Sequence, residues 1–480
     1  MGVATVRARR RGRRYDKERG CYVYDVAFKT VAPLTERTVK VAEAFGLGVD
    51  EEQTHVLYDD FELHLTDGDV VYITGDSGSG KSVLLDAIRR DLGDEAACMD
   101  RLPEPGDEPI IDTVGDSFKE ALGILSRVGL NDAYLFLRRY HELSEGQRYR
   151  YRLAQLLESG KNRWLCDEFL STLDRTTAKV VAYNIQKQAR RTGATLIAAT
   201  THGDLARDLA PSIHVVKGWG EEINTEYSRG AAAPRCTVTD DVAVEEASKK
   251  DYQRLSYLHY RGGRVTAPLK YYRMTRLGEL VAVIVYSSPP ARVGGRKEAV
   301  GYAPTLTELN RDWALISRVI VHPKYRGVGL GSRLIAETLP LQGRSHVELV
   351  AVMAQYNPFA ERAGMTLIKI KEPHPTVTEA VERLRRLGFN PALMGSLRRN
   401  EATLDALPGR EKVYEALMAV APGPYLRRLT RLKKMYVTRR MLRDWLPEQD
   451  DTSLARALKT LGVLAQTKAY LHWSSERCPT

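Results

Sequence analysis

The segment Val70-Val71-Tyr72-Ile73-Thr74-Gly75-Asp76-Ser77-Gly78-Ser79-Gly80-Lys81-Ser82 sets an apolar run against a glycine-rich turn, and residues 83–92 continue it with helical periodicity. Strand, turn, helix is the context a phosphate-binding loop needs. Gly75, Gly78 and Gly80 let backbone N–H groups turn inward around a β-phosphate, and the following helix points its positive end at the same anion. In such a loop Lys81 reaches the β- and γ-phosphates and Ser82 ligates magnesium, with Asp76, Ser77 and Ser79 completing the cradle.

Three further segments follow in order. Leu143-Ser144-Glu145-Gly146-Gln147 opens a basic helical stretch over 148–157. The apolar strand Trp164-Leu165-Cys166 ends in Asp167-Glu168, with Ser171-Thr172-Leu173-Asp174 behind it, and a last strand over 195–201 delivers His202. This order resembles the nucleotide-binding domain of ABC-type ATPases, with GDSGSGKS as Walker A, LSEGQ as signature, WLCDE as Walker B, STLD as D-loop and His202 as switch histidine. The resemblance covers residues 20–228 and implies ATP and Mg2+ as ligands. It places residues 75–82 on the phosphates, Ser82 and (through water) Asp167 at the magnesium, Glu168 beside the attacking water and His202 at the γ-phosphate. In-line phosphoryl transfer asks for charge neutralisation and a positioned water, and little else from a protein. In the resembled family Ser144, Gly146 and Gln147 cover the ATP held by a partner's loop. One set per chain therefore implies a two-fold homodimer with ATP at its interface.

Two departures matter. No glutamine lies between Ser82 and Leu143, so the Q-loop of the family is missing as such. No apolar stretch is long enough to span a bilayer, which together with the missing glutamine takes support from a transporter-subunit role. Tyr22, Tyr24 and Phe28 are the candidates for stacking on adenine.

Beyond the low-complexity break Gly230-Ala231-Ala232-Ala233-Pro234 the pattern restarts as mixed α/β. In Ile316-Ser317-Arg318-Val319-Ile320-Val321-His322-Pro323-Lys324-Tyr325-Arg326-Gly327-Val328-Gly329-Leu330-Gly331, a strand runs into a second glycine turn, and a helix over 332–339 follows. Its exposed N–H groups and Arg326 suit a pyrophosphate. The string V-x-P-x-Y-R-G-x-G-x-G-x-x-L resembles the acetyl-CoA motif of the GNAT acetyltransferase superfamily, over 241–372. The resemblance implies that Val319, Ile320 and Val321 pair with the pantetheine arm and that Arg326, Gly327, Val328, Gly329, Leu330 and Gly331 bind the pyrophosphate of acetyl-CoA. Many members of that superfamily place a tyrosine where this chain has Ala360. Tyr356 is the substitute general acid, with Glu348 and His322 as candidates for the base.

The expected fold is therefore α/β: a basic arm (1–19), an ABC-type P-loop ATPase domain (20–228), a linker (229–240), a GNAT-like domain (241–375) and a mostly helical basic C-terminal region (376–480). Helices are expected over 379–387, 410–420 and 427–445. The net charge of +11 is uneven. Arginines crowd residues 7–14, and a second basic block runs from Arg427 through Arg428, Arg431, Lys433, Lys434, Arg439 and Arg440 to Arg443, so nucleic acid is a candidate partner. Five scattered cysteines without C-x-x-C spacing or sequence-near histidines, and the lack of a signal peptide, suggest a reduced cytoplasmic protein. The leading reading is an ATP-hydrolysing engine coupled to acetyl-CoA-dependent N-acetylation of nucleic acid or of something bound to it. The alternative is a mechanical ATPase that clamps or remodels nucleic acid or ribonucleoprotein, with the GNAT fold as a non-catalytic module.

Overall fold

The computed structural model describes residues 7–9, 15–30, 34–48, 53–228, 232–259 and 265–475. The chain divides into two compact units, one comprising 1–262, 272–283 and 320–334 and the other 263–271, 284–319 and 335–480.

In the first unit, β1 (Arg7–Arg9), β2 (Tyr15–Asp16), β3 (Cys21–Thr30) and β4 (Gln53–Leu63) form an antiparallel sheet. A second sheet holds β5 (Val70–Gly75), β6 (Ala96–Cys98), β7 (Arg163–Cys166), β8 (Thr195–Thr200), β9 (Ile213–Lys217) and β10 (Ile223–Tyr227) in the order β10-β9-β5-β8-β7-β6. All its pairings are parallel except that of β10 with β9. Continuous apolar runs such as Val70–Ile73 make sense here, because a parallel strand is buried on both faces. Val70, Tyr72, Trp164, Cys166, Leu196 and Ala198 enter one core with Val181 and Ile185 of the helix Arg175–Thr192. Their alternates Val71, Ile73, Leu165, Ile197 and Ala199 enter the other with Leu84, Leu85 and Ile88 of the helix Lys81–Leu92.

Past residue 240 a seven-stranded sheet runs β11 (Val242–Ala247), β12 (Pro268–Arg276), β13 (Glu279–Ser287), β14 (Trp313–Val321), β15 (His346–Ala351), β17 (Lys468–Ser474), β16 (Thr366–Lys371). β14 and β15 are parallel and pair only from Trp313 to Leu315. In the second unit, six helices between Pro375 and Leu464 enclose a core that includes Val377, Leu384, Leu404, Leu417, Leu426 and Leu458.

The C-terminal region differs from expectation in two places. The helix expected over 427–445 is two short ones, Pro424–Thr430 and Arg439–Trp445. Arg431 takes a left-handed conformation (φ 57°) as the cap of the first, and the segment between them is pinned by Gly423 N–H donating to the Val437 carbonyl at 2.8 Å. The strand β17 was not expected. Its apolar residues are not alternating but nearly continuous, because it lies between β15 and β16 with Tyr470 and Leu471 both fully buried, and periodicity alone cannot separate such a run from a buried helix. No described helix is long and apolar enough to cross a membrane. The arginines at 10–14 and Cys478 lie outside the described residues, and the remaining four cysteines are free thiols.

Candidate functional site

The turn after β5 is built around backbone that only glycine allows. Gly75 sits at φ 148°, and a Cβ there would lie 2.0 Å from the Lys217 carbonyl oxygen. Gly78 and Gly80 have φ of 81° and 102°, and Gly80 caps the helix Lys81–Leu92. Lys81 is buried, and its ammonium donates to the carbonyls of Gly75 (2.9 Å) and Asp76 (2.6 Å), which fixes the charge inside the turn. Ser82 is exposed at the helix start, and the Ser79 hydroxyl is buried without a hydrogen-bond partner among the described residues. Tyr58 braces the turn from β4 by donating to the Gly80 carbonyl at 2.9 Å.

Because β5, β8 and β7 are parallel neighbours, their C-terminal ends bring the glycine turn, His202 and Asp167-Glu168 to one edge of the sheet. Asp167 Oδ1 accepts from the Glu168 N–H at 2.9 Å, and Phe169 N–H donates to the Ala199 carbonyl of β8 at 2.7 Å. Glu168 has φ 45°, strained for a residue with a Cβ, and its side chain is exposed. His202 is half-buried, and its carbonyl accepts from the Tyr72 hydroxyl.

The segment 143–147 lies at the start of the helix Glu145–Leu157, with Ser144 as its exposed N-cap. Gln147 Oε1 accepts from the Ser144 N–H at 3.0 Å, so this side chain is at work as a cap. Gly146 faces Leu173 of the segment 171–174, whose Cδ2 would be 3.1 Å from a Cβ at 146. Asp174 caps the helix Arg175–Thr192. Burial opposes its ionisation, but the hydrogen bonds from Thr177, with Lys324 and Arg150 nearby, outweigh that and hold its pKa below the ordinary carboxylate value.

Four features of this unit were not legible in the sequence. Asp100 follows β6 in the same register offset that pairs Cys98 with Leu165, which sets it beside Asp167. Burial and the Asp167 charge raise its pKa. Trp219 is exposed with its ring edge 3.5 Å from where a Gly78 Cβ would be, whereas Tyr24, a candidate for adenine, is fully buried. Tyr22 is half-buried, and the Phe28 side chain lies outside the described residues. Lys217 is fully buried, its ammonium donating to the Gly218 and Glu222 carbonyls at 3.0 and 3.3 Å and also to Gly220, and burial lowers its pKa. Cys21, Glu62 and His64 bring three potential metal-ligand atoms within 4.8 Å of one another, although Arg19 already binds Glu62 at 3.0 Å. Strand pairing, invisible as sequence spacing, joins them.

The second glycine turn, also in the first unit, follows β14. Val319 and Val321 are half-buried, and Ile320 is buried. Gly327 and Gly329 have φ of 90° and 88°, and nothing lies within 4 Å of a Cβ placed at 329. The helix Leu330–Thr338 begins at Leu330, with Val328 half-buried before it, and a Cβ placed at Gly331 would lie 3.5 Å from Val321 Cγ2. The Arg326 guanidinium, expected at a pyrophosphate, instead donates to the carbonyls of Val321 (2.7 Å) and Asn131 (2.6 Å), and burial lowers its pKa. His322 is half-buried, with Nδ1 lacking a hydrogen-bond partner among the described residues, and burial, then Lys324 and Arg326, lower its pKa, so it is neutral at pH 7.

In the second unit, Glu348 is fully buried and fully engaged. Arg296 Nε and Nη2 bind its two oxygens at 2.9 and 2.8 Å, and the Tyr470 hydroxyl donates at 3.1 Å. Both of its oxygens are thus taken up by Arg296, with Tyr470 as a third donor. Tyr356 is half-buried behind a short turn, and Ala360 is fully buried.

Residues 242–362 match the family model described as the acetyltransferase (GNAT) family. The cytochrome c biogenesis ATP-binding export protein CcmA of Pseudomonas syringae pv. syringae is 28% identical over 194 residues, which cover 33% of this chain and 86% of that protein. CcmA of Zymomonas mobilis subsp. mobilis is 30% identical over 170 residues, covering 31% of this chain and 73% of that protein. Among solved structures, a dimeric post-hydrolysis state of an ATP-binding cassette bound to ADP and Pi is similar at 21% identity, covering 38% of this chain and 94% of that one, with a TM-score of 0.31.

Proposed function

Since the chain belongs to the ABC-type ATPases and carries a GNAT acetyltransferase domain, we propose that it binds and hydrolyses ATP with Mg2+ as a homodimer and couples that cycle to acetyl-CoA-dependent N-acetylation. The observation that carries the reading is the shared sheet edge, where Lys81 inside its turn, Asp167, Glu168 and His202 end three adjacent parallel strands. The residues suit the ligands: Gly75 leaves no room for a side chain, Ser82 and Asp167 offer oxygens to magnesium, and exposed Trp219 can stack on a base. Glu168 orients the attacking water, and Ser144 and Gly146 close over the nucleotide of the partner subunit. The working division is arm 1–19, ATPase 20–228, linker 229–240, acetyltransferase 241–375 and C-terminal region 376–480.

In the acetyltransferase half the open Gly329 and the helix start at Leu330 fit a pyrophosphate, and acetyl-CoA supplies the activated acyl group when bound. The acceptor amine gives up its proton through water, and Tyr356 returns one to the departing thiolate. The acceptor is nucleic acid or a molecule bound to it, in the cytoplasm. Arg427, Arg428, Arg431, Lys433, Lys434, Arg439, Arg440 and Arg443 are all exposed and none is ion-paired among the described residues, and Met435 and Tyr436 stand exposed between them. A basic surface with an interleaved aromatic suits phosphates and bases.

The test is transfer from labelled acetyl-CoA, with ATP and Mg2+, to total RNA, DNA, polyamines and protein. Labelled RNA or DNA, or a labelled associated protein, supports the reading; no transfer to any class overturns it. Buried Ala360, standing where a catalytic tyrosine is common, favours the second reading, a nucleic-acid clamp with a non-catalytic GNAT module. That reading predicts nucleic-acid-stimulated ATPase activity without acetyl transfer.

A further inference from the structure

The second glycine turn does not stand alone in its unit. The short turn at 323–325 packs against the helix Arg175–Thr192, and the Arg326 guanidinium holds the Asn131 carbonyl. These contacts bring two carboxamide groups to Gly327. A Cβ placed at 327 would lie 3.0 Å from Asn184 Nδ2, 3.9 Å from Asn131 Nδ2 and 3.5 Å from the Ser126 carbonyl oxygen. Glycine at 327, with φ 90°, is what lets both amides face the turn. Both Nδ2 atoms are buried, and neither has a hydrogen-bond acceptor among the described residues. Leaving a buried N–H donor unpaired costs about 1–3 kcal/mol, so two at one spot are a costly arrangement unless they serve an acceptor.

We propose that Asn131 and Asn184, contributed by the ATPase part of the chain, donate to the pyrophosphate of the acyl-CoA bound at residues 327–331. This rests on the reading of that turn as an acyl-CoA site. The acceptor chemistry follows from the donors. Two converging carboxamides beside backbone N–H groups and a buried guanidinium want an anion with several oxygens in a small volume, which a pyrophosphate provides and a single carbonyl does not.

The placement also supplies a physical link between the two ligands. Asn184 lies on the helix that Asp174 caps. Asn131 lies in a loop held by Arg150, which donates to the Gly129 carbonyl at 2.8 Å and to the Gly146 carbonyl at 3.0 Å. A pyrophosphate bound to both asparagines therefore touches the helix behind the segment 171–174 and the loop tied to the segment 143–147, the latter expected to meet the partner's nucleotide.

The experiment is calorimetric titration of coenzyme A into the full chain, wild type against Asn131→Ala/Asn184→Ala and against Asn184→Asp, which keeps the shape but sets a negative charge beside the pyrophosphate. Removing two charge-assisted hydrogen bonds is expected to weaken coenzyme A about 10- to 100-fold, and Asn184→Asp alone at least about 10-fold. ATP affinity, unchanged in all three proteins, reports intact folding of the unit. Wild-type binding with unchanged affinity in both variants overturns the proposal and leaves the acyl-CoA reading standing. No binding by the wild type overturns the acyl-CoA reading itself, and the proposal with it.

Discussion

Removing the carboxylate of Glu348 should destabilise the second unit severely without acting on chemistry. Arg296 is 4% exposed and Glu348 is fully buried, with two parallel N–H···O contacts between them and the Tyr470 hydroxyl as third donor. Taking away one partner of a buried pair strands the other charge, at a cost of about 3–5 kcal/mol. The Tyr470 hydroxyl also loses its acceptor, adding about 1 kcal/mol, so Glu348→Ala should cost roughly 4–6 kcal/mol. Removing both charges is a different matter. In Glu348→Leu/Arg296→Met no charge is stranded, and the groups left unpaired are the Tyr470 hydroxyl and the Pro290 and Ala291 carbonyls that Arg296 serves at 2.7 and 3.2 Å, so the double variant should fall within about 3 kcal/mol of wild type. Urea denaturation followed by tryptophan fluorescence reads this out, since Trp313 stacks on His346 at 4.6 Å and lies 5.7 Å from the Arg296 guanidinium. A single variant costing under about 1 kcal/mol, or a double variant as poor as the sum of the singles, would refute the account. So would a Glu348→Gln protein that is fully folded yet shows a shifted pH profile for acetyl transfer, because that profile would mark Glu348 as the base.

Glu168→Gln should slow ATP hydrolysis by about 10²–10⁴-fold while leaving ATP binding intact, and gel filtration with ATP and Mg2+ should show a trapped dimer; a monomer with full turnover contradicts the assignment. Gly75→Ala forces a methyl to 2.0 Å from the Lys217 carbonyl oxygen and should cost about 2–5 kcal/mol together with ATP affinity, whereas Gly160→Ala, at φ 70° with open space around it, should cost about 1 kcal/mol. Equal melting temperatures for the two proteins would contradict the packing argument. Asp174→Ala should destabilise by about 1 kcal/mol at neutral pH through loss of the helix cap. The Asp174 carboxyl has a folded pKa held below its unfolded value, so its contribution is constant above pH 5 and is lost only as pH falls below about 4. Melting curves in which the difference between wild type and variant changes from pH 7 to pH 5 would count against this.

What the sequence carried by itself was local chemistry. A strand, a glycine turn and a helix start within residues 70–92 specify one another through neighbouring φ/ψ demands, and the same holds for 316–339, so both turns and their following helices were readable without coordinates. Asp167-Glu168 and His202 were readable because each ends a short, continuously apolar strand. Tertiary structure decided whatever depends on which strands become neighbours. Lys468–Ser474 became a strand because a gap between β15 and β16 buries both of its faces, and nothing in its own period announced that. Glu348 was a candidate base by residue type, and its partner Arg296, 52 residues away in the chain, was not legible. Arg326 was readable as a cation beside the second glycine turn, but its bond to the Asn131 carbonyl, 195 residues distant, was not. Short-range backbone geometry is written in adjacent residues, whereas the partner of a buried charge or an unpaired amide is chosen only when distant segments pack and exclude water.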